Sequence, residues 1–276
     1  MKTILFPTNF SPGADNALNY AIGLSDKLKA KLILFNSFHI PAYAEAPIDE
    51  DVEEQLMNIA EDGLFRLQNN ALIQSKNLDV KTMVSYGLAV DNIIETAEEK
   101  NVNLIIMGTK GSSGLKEIFI GSNAASVLEK APCPVLVIPE NAKFKTLEKI
   151  VFATNFRDSD FNSIASLAEI AALFNSEIMI VHVSQVAPTE DYERDLLQWY
   201  KDELKKKANI EYKNISFHDL VGGNVDYELE DFMEKNKVDL LALSMRKRNI
   251  FSKLFDRSLS KKMAYHSHTP LLAFHA

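Results

Sequence analysis

The motif KTILFPTNF stands at residues 2–10, and a near copy, EKIVFATNF, stands at residues 148–156. Four further segments of the first half return in the second half in the same order. They pair as 32–37 with 178–183, 87–94 with 222–229, 102–107 with 238–243, and 134–138 with 270–274. Such a repeat indicates two copies of one structural unit. We therefore predict two domains, residues 1–142 and 146–276.

Short apolar runs alternate with amphipathic stretches in each copy. In the first copy the apolar runs are Ile4–Thr8, Leu32–Phe38, Val80–Tyr86, Leu104–Gly108 and Val135–Ile138. Continuous apolar runs of this length are typical of strands buried on both faces of a parallel sheet. Alternation with helices predicts the α/β class, with two doubly wound, five-stranded parallel-sheet domains that are Rossmann-like. Ser11 and Pro12 are predicted to begin the first helix, with Ser11 as its cap.

Composition excludes several classes of protein. The chain has 276 residues, of which 46% are hydrophobic and 25% charged, as in ordinary globular proteins. Its net charge of −8 argues against partners such as nucleic acid and anionic membranes. The single cysteine, Cys133, excludes an internal disulfide and a cysteine-based zinc site, and we expect a cytoplasmic location. No catalytic residues are predicted, because neither a Ser-His-Asp set nor paired carboxylates stand at the strand ends. No metal site is predicted, because no carboxylate or cysteine near His266, His268 and His275 completes a set of ligands.

Glycines follow the fourth predicted strand. Gly108 and Gly111 come first, and Gly121 and Ser122 stand just before a predicted helix. Glycine lets a backbone approach a phosphate closely, and a helix N-terminus offers unpaired N–H groups. From this spacing alone two interpretations remain open: a cradle for a polyphosphate, or glycines that only turn the chain.

The chain resembles a tandem universal stress protein, two fused domains of the UspA family. The segment from Gly108 to Ser122 fits the family's ATP-binding pattern G-x2-G-x9-G-S/T, and APCPVLVI at residues 131–138 is similar to its closing strand. The first copy matches from end to end, and the second matches in pattern but weakly in motif. The resemblance implies an adenine nucleotide alpha hydrolase-like fold. It also implies an intramolecular pseudo-dimer, in which Val135–Ile138 pairs with Leu271–Phe274.

The resemblance further implies an adenine nucleotide, ATP, in the first domain. By position, Pro7, Thr8 and Asn9 would lie beside adenine and ribose, Ser37 would flank the base, Met107 and Gly108 would lie under the ribose and phosphates, and Gly111, Gly121, Ser122 and Asn123 would hold the phosphates. Asn9 stands where the family's nucleotide binders usually carry Asp. An amide brings no charge, which puts in doubt a magnesium ion held by that side chain.

The second copy has lost the glycines. Ser244 replaces Gly108, Lys247 replaces Gly111 and Arg257 replaces Gly121, while Ser258 keeps its type. We therefore predict a degenerate second site and one nucleotide site per chain. The basic stretch from Arg246 to Lys262 is open to two interpretations, an anion site or a solvated surface.

Together these features predict a stress-response regulator or sensor that binds ATP in its first domain and is not an enzyme. We expect an unidentified protein partner and allow a homodimer. One alternative is a nucleotide-independent scaffold, which Asn9 and the lost second site favour. Another is a slow ATPase or autophosphorylating protein, which the cradle and the neighbouring Ser112 and Ser113 favour.

Overall fold

The computed structural model describes residues 2–40, 50–109, 121–184, 190–208, 213–245 and 269–275. The chain divides into two compact units, Met1–Phe144 and Lys145–Ala276. Within the described ranges, no helix is both long and apolar enough to cross a membrane.

The first unit alternates strands and helices. Its elements are β1 (Thr3–Pro7), α1 (Pro12–Leu28), β2 (Lys31–Phe38), α2 (Glu50–Gln74), β3 (Val80–Tyr86), α3 (Ala89–Glu99), β4 (Leu104–Gly108), α4 (Ser122–Lys130) and β5 (Val135–Ile138). The strand order is β3-β2-β1-β4-β5, and all neighbouring strands are parallel. The chain runs from β1 first to one edge and then to the other, so the order reverses between β1 and β4. Ligands of doubly wound sheets bind at such a reversal.

The second unit repeats this arrangement. Its elements are β6 (Lys149–Ala153), α5 (Asp158–Phe174), β7 (Glu177–Ser184), α6 (Glu190–Ala208), β8 (Ile215–Val221), α7 (Val225–Asn236), β9 (Leu240–Met245) and β10 (Leu271–His275). The strand order is β10-β9-β6-β7-β8, again with parallel neighbours. The predicted α/β class with two five-stranded parallel sheets is confirmed.

The central strands form the core of each unit. Ile4, Leu5 and Phe6 of β1 are fully buried, as are the matching residues of β6, Ile150–Phe152. Helices can cover both faces of a parallel sheet, so its central strands need apolar residues at consecutive positions. That requirement explains why unbroken apolar runs located the strands. The predicted runs at β3, β4 and β5 match the observed strands at both ends.

A tight turn follows the first strand of each unit. Phe10 and Phe156 adopt φ angles of 59° and 54°, in the left-handed region that side chains seldom occupy. The N–H of Phe10 donates to Oγ1 of Thr8 over 3.0 Å, and the N–H of Phe156 donates to Oγ1 of Thr154 over 2.8 Å. The repeat therefore extends to backbone conformation at the edge of the sheet where the candidate site lies.

Candidate functional site

The carboxyl ends of β1 and β4 lie where the strand order of the first sheet reverses. Gly108 ends β4, and a Cβ atom there would stand 3.0 Å from the carbonyl oxygen of Gly13 in α1. Backbone cannot yield as a flexible side chain can, so a larger residue would displace the first turn of α1. Gly108 thus permits a close approach of helix to strand beside the crevice.

Two hydroxyl groups next to this contact are buried without a partner. Oγ of Ser11 and Oγ1 of Thr109 make no hydrogen bond with any residue that the structure describes. Ser11 does hold the N-cap position and Pro12 begins α1, but the predicted capping bond is wrong, since the Ser11 hydroxyl makes none. An unpaired buried hydroxyl costs about 1–3 kcal/mol. Ser11 lies in the turn after β1 and Thr109 directly follows β4, at the edge of the sheet where a ligand can supply the missing partners.

The start of α4 lies against the same strand end. The N–H of Gly121 donates to the carbonyl of Thr109 over 2.6 Å, and Ser122 and Asn123 follow as exposed residues of the first turn. The first N–H groups of a helix have no intrahelical acceptor, and they attract anions. Three predicted phosphate-binding residues, Gly121, Ser122 and Asn123, therefore come together with Gly108. Gly111 lies outside the described residues.

The turn after β1 forms the other wall. Thr8 is buried, its N–H donates to the carbonyl of Phe35, and its own carbonyl accepts from Nδ2 of Asn36 over 2.8 Å. Asn9 is exposed, and its Oδ1 accepts from the N–H of Ser11 over 3.2 Å. An aspartate would serve this turn equally well. The amide thus keeps the shape of the turn and removes only the charge.

Ser37 near the end of β2 is part of a three-residue contact. Its hydroxyl donates to the carbonyl of Gly87 over 2.9 Å and accepts from Nδ2 of Asn92 over 2.8 Å. Sequence reasoning missed Asn92, because 55 residues separate it from Ser37 and no motif marks it. The remaining predicted residues, Pro7 in β1 and Met107 in β4, are buried at their strand ends.

The matching edge of the second sheet carries hydroxyl groups that are bonded to other side chains. Ser244 stands at the Gly108 position, and its hydroxyl donates to Oγ of Ser163 over 2.8 Å. Met245, at the Thr109 position, is buried and apolar. Thr154 matches Thr8, and its hydroxyl donates to the buried carboxylate of Asp160 over 2.6 Å. The polar groups at this edge therefore have protein partners.

An aromatic cluster lies next to Thr154. Tyr200 of α6 is fully buried, and its ring centroid lies 5.0 Å from that of Phe156 and 4.9 Å from that of Phe161. Burial raises the pKa of Tyr200 well above its ordinary range, and the nearby Asp160 carboxylate raises it further. On the first unit Phe10 faces Gly63 of α2 instead of a ring. Lys247, Arg257, Ser258 and the basic stretch 246–262 lie outside the described residues.

Comparison with known proteins identifies the repeat. The sequence model of the universal stress protein family matches residues 1–139 and again residues 146–275. The chain belongs to the universal stress protein family. Each unit described above is therefore one universal stress protein domain.

Two curated members of the family each match about half of the chain, and a solved structure matches nearly all of it. One universal stress protein of Methanocaldococcus jannaschii is 29% identical over 145 residues, which cover 51% of this chain and 84% of that protein. A second from the same organism is 30% identical over 155 residues, covering 50% and 94%. A universal stress protein structure from Archaeoglobus fulgidus covers 99% of this chain and 98% of its own, with a TM-score of 0.74. It is 18% identical, so this likeness shows the fold.

Proposed function

We propose that this universal stress protein binds ATP at the β1–β4 crevice of its first unit and acts as a stress-response regulator. The observation that carries the proposal is the pair of buried hydroxyls of Ser11 and Thr109, which have no hydrogen-bond partner among the described residues and stand close in sequence to Gly13 and Gly108. A ligand with several acceptor oxygens satisfies such donors. The resemblance of Gly108–Ser122 to an ATP-binding pattern favours a nucleotide as that ligand.

Each group of residues at this crevice would contact a different part of the nucleotide. Gly108 would let α1 approach the end of β4 closely, because any Cβ there meets the backbone of Gly13. Gly121, Ser122 and Asn123 would offer N–H groups to the phosphates, with the Ser122 hydroxyl as a further donor. The turn at Thr8 and Asn9 would lie beside the ribose, and the end of β2 would flank the base.

Asn9 fits a nucleotide better than it fits a protein-bound metal ion. Its amide oxygen already accepts from the N–H of Ser11, and it carries no negative charge. The structure places no group of three or more His, Cys, Asp or Glu residues suited to a metal in the described part of the chain. We therefore assign Asn9 to the shape of the turn, and assign no protein carboxylate to a magnesium ion that accompanies ATP.

The second unit would contribute no nucleotide site. Thr154 is bonded to Asp160, Ser244 is bonded to Ser163, and Tyr200 is buried among neighbouring rings. One ATP per chain follows from this difference. In our proposal occupancy of that one site is a signal read by a protein partner in the cytoplasm, and the protein is not a metabolic enzyme.

Calorimetry of protein stripped of nucleotide tests the proposal. We expect ATP to bind with a stoichiometry near one per chain, and Gly121→Trp to abolish binding by occupying the phosphate region. Gly223→Trp is the matched control, since a Cβ at Gly223 meets no atom within 4 Å. Cells that carry Gly121→Trp should lose stress survival, whereas cells that carry Gly223→Trp should keep it. Absence of heat at millimolar ATP would overturn the proposal.

A further inference from the structure

The contact of Ser37, Gly87 and Asn92 occupies the side of the crevice away from the helix α4. Gly121 and Ser122 lie at the end of β4, whereas Ser37 lies near the end of β2, with β1 between them. Adjacent strands are about 4.8 Å apart, so two spacings separate the two positions by about 10 Å. A nucleotide whose phosphates lie at α4 would therefore extend its base toward Ser37 and Asn92.

The hydroxyl of Ser37 has no capacity left for donating to a base. Its hydrogen goes to the carbonyl of Gly87, and it accepts from one N–H of Asn92. The backbone of Gly87 has a φ of 130°, and its N–H donates to the carbonyl of Phe38. Ser37 therefore fixes the loop after β3, and its role is to position Asn92.

Asn92 keeps two polar groups available beside this contact. One N–H of its carboxamide is used by Ser37, while the other N–H and the oxygen bond to no residue in the described ranges. Asn92 is half-buried in the first turns of α3, and its oxygen lies 3.2 Å from where a Cβ of Gly87 would be. Because Gly87 has no Cβ, the carboxamide of Asn92 can lie in contact with the loop after β3.

The second unit lacks this arrangement. Val183 stands at the Ser37 position and Tyr227 at the Asn92 position, although Gly222 repeats Gly87 and donates to the carbonyl of Ser184 in the same way. Tyr227 is 60% exposed. The loop backbone is therefore shared by both units, but the serine–asparagine pair is present only in the first unit.

We infer that Asn92 selects adenine over guanine in the bound nucleotide, an inference that rests on the proposed function. A carboxamide accepts from the N6 amine of adenine while it donates to a ring nitrogen. Guanine presents the oxygen O6 in place of that amine, so the Asn92 oxygen would face an acceptor. Ser37 is the positioning residue, because its bond to Nδ2 sets which side of the carboxamide faces the base.

The test compares the affinities of ATP and GTP by calorimetry in the full chain. We expect the wild-type protein to prefer ATP by about tenfold or more, the size of a single base-reading contact. Asn92→Ala should weaken ATP binding by about tenfold and leave GTP binding nearly unchanged. Asn92→Leu should do the same, which separates loss of the carboxamide from an opened space. Asp91→Asn, a change at the neighbouring exposed position, should keep the wild-type preference.

The possible results separate the role of Asn92 in base selection from the proposed nucleotide site itself. An equal loss of ATP and GTP affinity in the Asn92 variants, or no loss of either, would overturn the selection role and leave the proposed nucleotide site standing. A wild-type protein that binds neither nucleotide would overturn the proposed function itself. Collapse of the ATP preference with intact GTP binding supports the inference, since a merely structural role for Asn92 would weaken both.

Discussion

At the end of β4 the first unit carries Gly108 and Thr109, and at the matching end of β9 the second unit carries Ser244 and Met245. The first pair leaves a close backbone contact and a buried hydroxyl that has no partner in the described part of the chain. The second pair supplies a hydroxyl that is bonded to Ser163 and a thioether that packs as core. The same fold therefore leaves a buried hydroxyl without a described partner at one strand end, and carries a bonded hydroxyl and an apolar side chain at the other. The first state costs stability that a ligand can return, and the second needs no ligand.

The largest expected effect is a loss of stability when the buried ring of Tyr200 is removed from the second unit. Tyr200→Ala removes a fully buried ring, which should lower the free energy of unfolding by about 3–5 kcal/mol, as for other large aromatic residues. Trp199, the only tryptophan in the chain, lies in α6 beside Tyr200, so its fluorescence in a urea titration reports the second unit.

Tyr200→Phe is the matched control for that change. It keeps the ring and removes only the hydroxyl, which lies 3.3 Å from Oγ1 of Thr154, so a loss of about 1 kcal/mol is expected. If Tyr200→Ala lowered the urea unfolding midpoint no further than Tyr200→Phe, the buried ring would not be what stabilises the second unit.

The residues that end β4 and β9 can be exchanged, and only the change in the first unit should affect ATP binding. Gly108→Ser places a side chain against the carbonyl of Gly13, and we expect ATP affinity to fall by about tenfold or more. The reverse change, Ser244→Gly, should leave ATP affinity and stoichiometry unchanged, because Met245 stays apolar at the Thr109 position and Thr154 stays bonded to Asp160. Calorimetry of both variants checks this. A second ATP per chain in Ser244→Gly would show that one glycine is enough to open the site.

Thr109→Val should have two smaller effects, a gain in the stability of the ligand-free protein and a loss of ATP affinity. Valine keeps the shape and removes the unpaired hydroxyl, so the ligand-free protein should gain about 1 kcal/mol of stability. ATP affinity should fall several-fold, by about the value of one hydrogen bond. Urea unfolding without nucleotide measures the change in stability, and calorimetry with ATP measures the change in affinity. Loss of stability together with unchanged affinity would mean that the hydroxyl has an internal partner.

The smallest expected effect concerns pH. Burial lowers the pKa of His218 in β8 below its usual 6.5, partly opposed by the carboxylate of Glu177. The folded chain therefore binds fewer protons at His218 than the unfolded chain as the pH falls through 6.5, and stability declines toward acid pH. His218→Met copies Met83, the matching residue of the first unit. Urea midpoints between about pH 7.5 and about pH 5.5 should fall less in this variant than in the wild type. An equal fall in both proteins would assign the pH dependence to other groups.

Sequence patterns predicted the architecture because burial on both faces imposes consecutive apolar residues. Val80–Tyr86 and Leu104–Gly108 were located to the residue, and the repeat itself predicted two units. Pro12 at the first turn of α1 was equally visible, since proline fits there for local reasons.

Contacts between distant segments could not be predicted in the same way. The bond from Asn92 to Ser37 crosses 55 residues and depends on how α3 packs beside β2. No motif marked Tyr200, which the fold places against Phe156. Ser11 has a residue type that caps helices, but packing around α1 left its hydroxyl buried and unbonded. Such features arise from tertiary packing, and no local pattern encodes them.

Photoaffinity labelling of the full chain with 8-azido-ATP, followed by peptide mapping, tests the difference between the two units most directly. We predict one label per chain, located in the first unit on peptides that contain the end of β2 or the start of α3, and displaced by excess ATP. Labelling of the second unit, or of both units equally, would contradict the account.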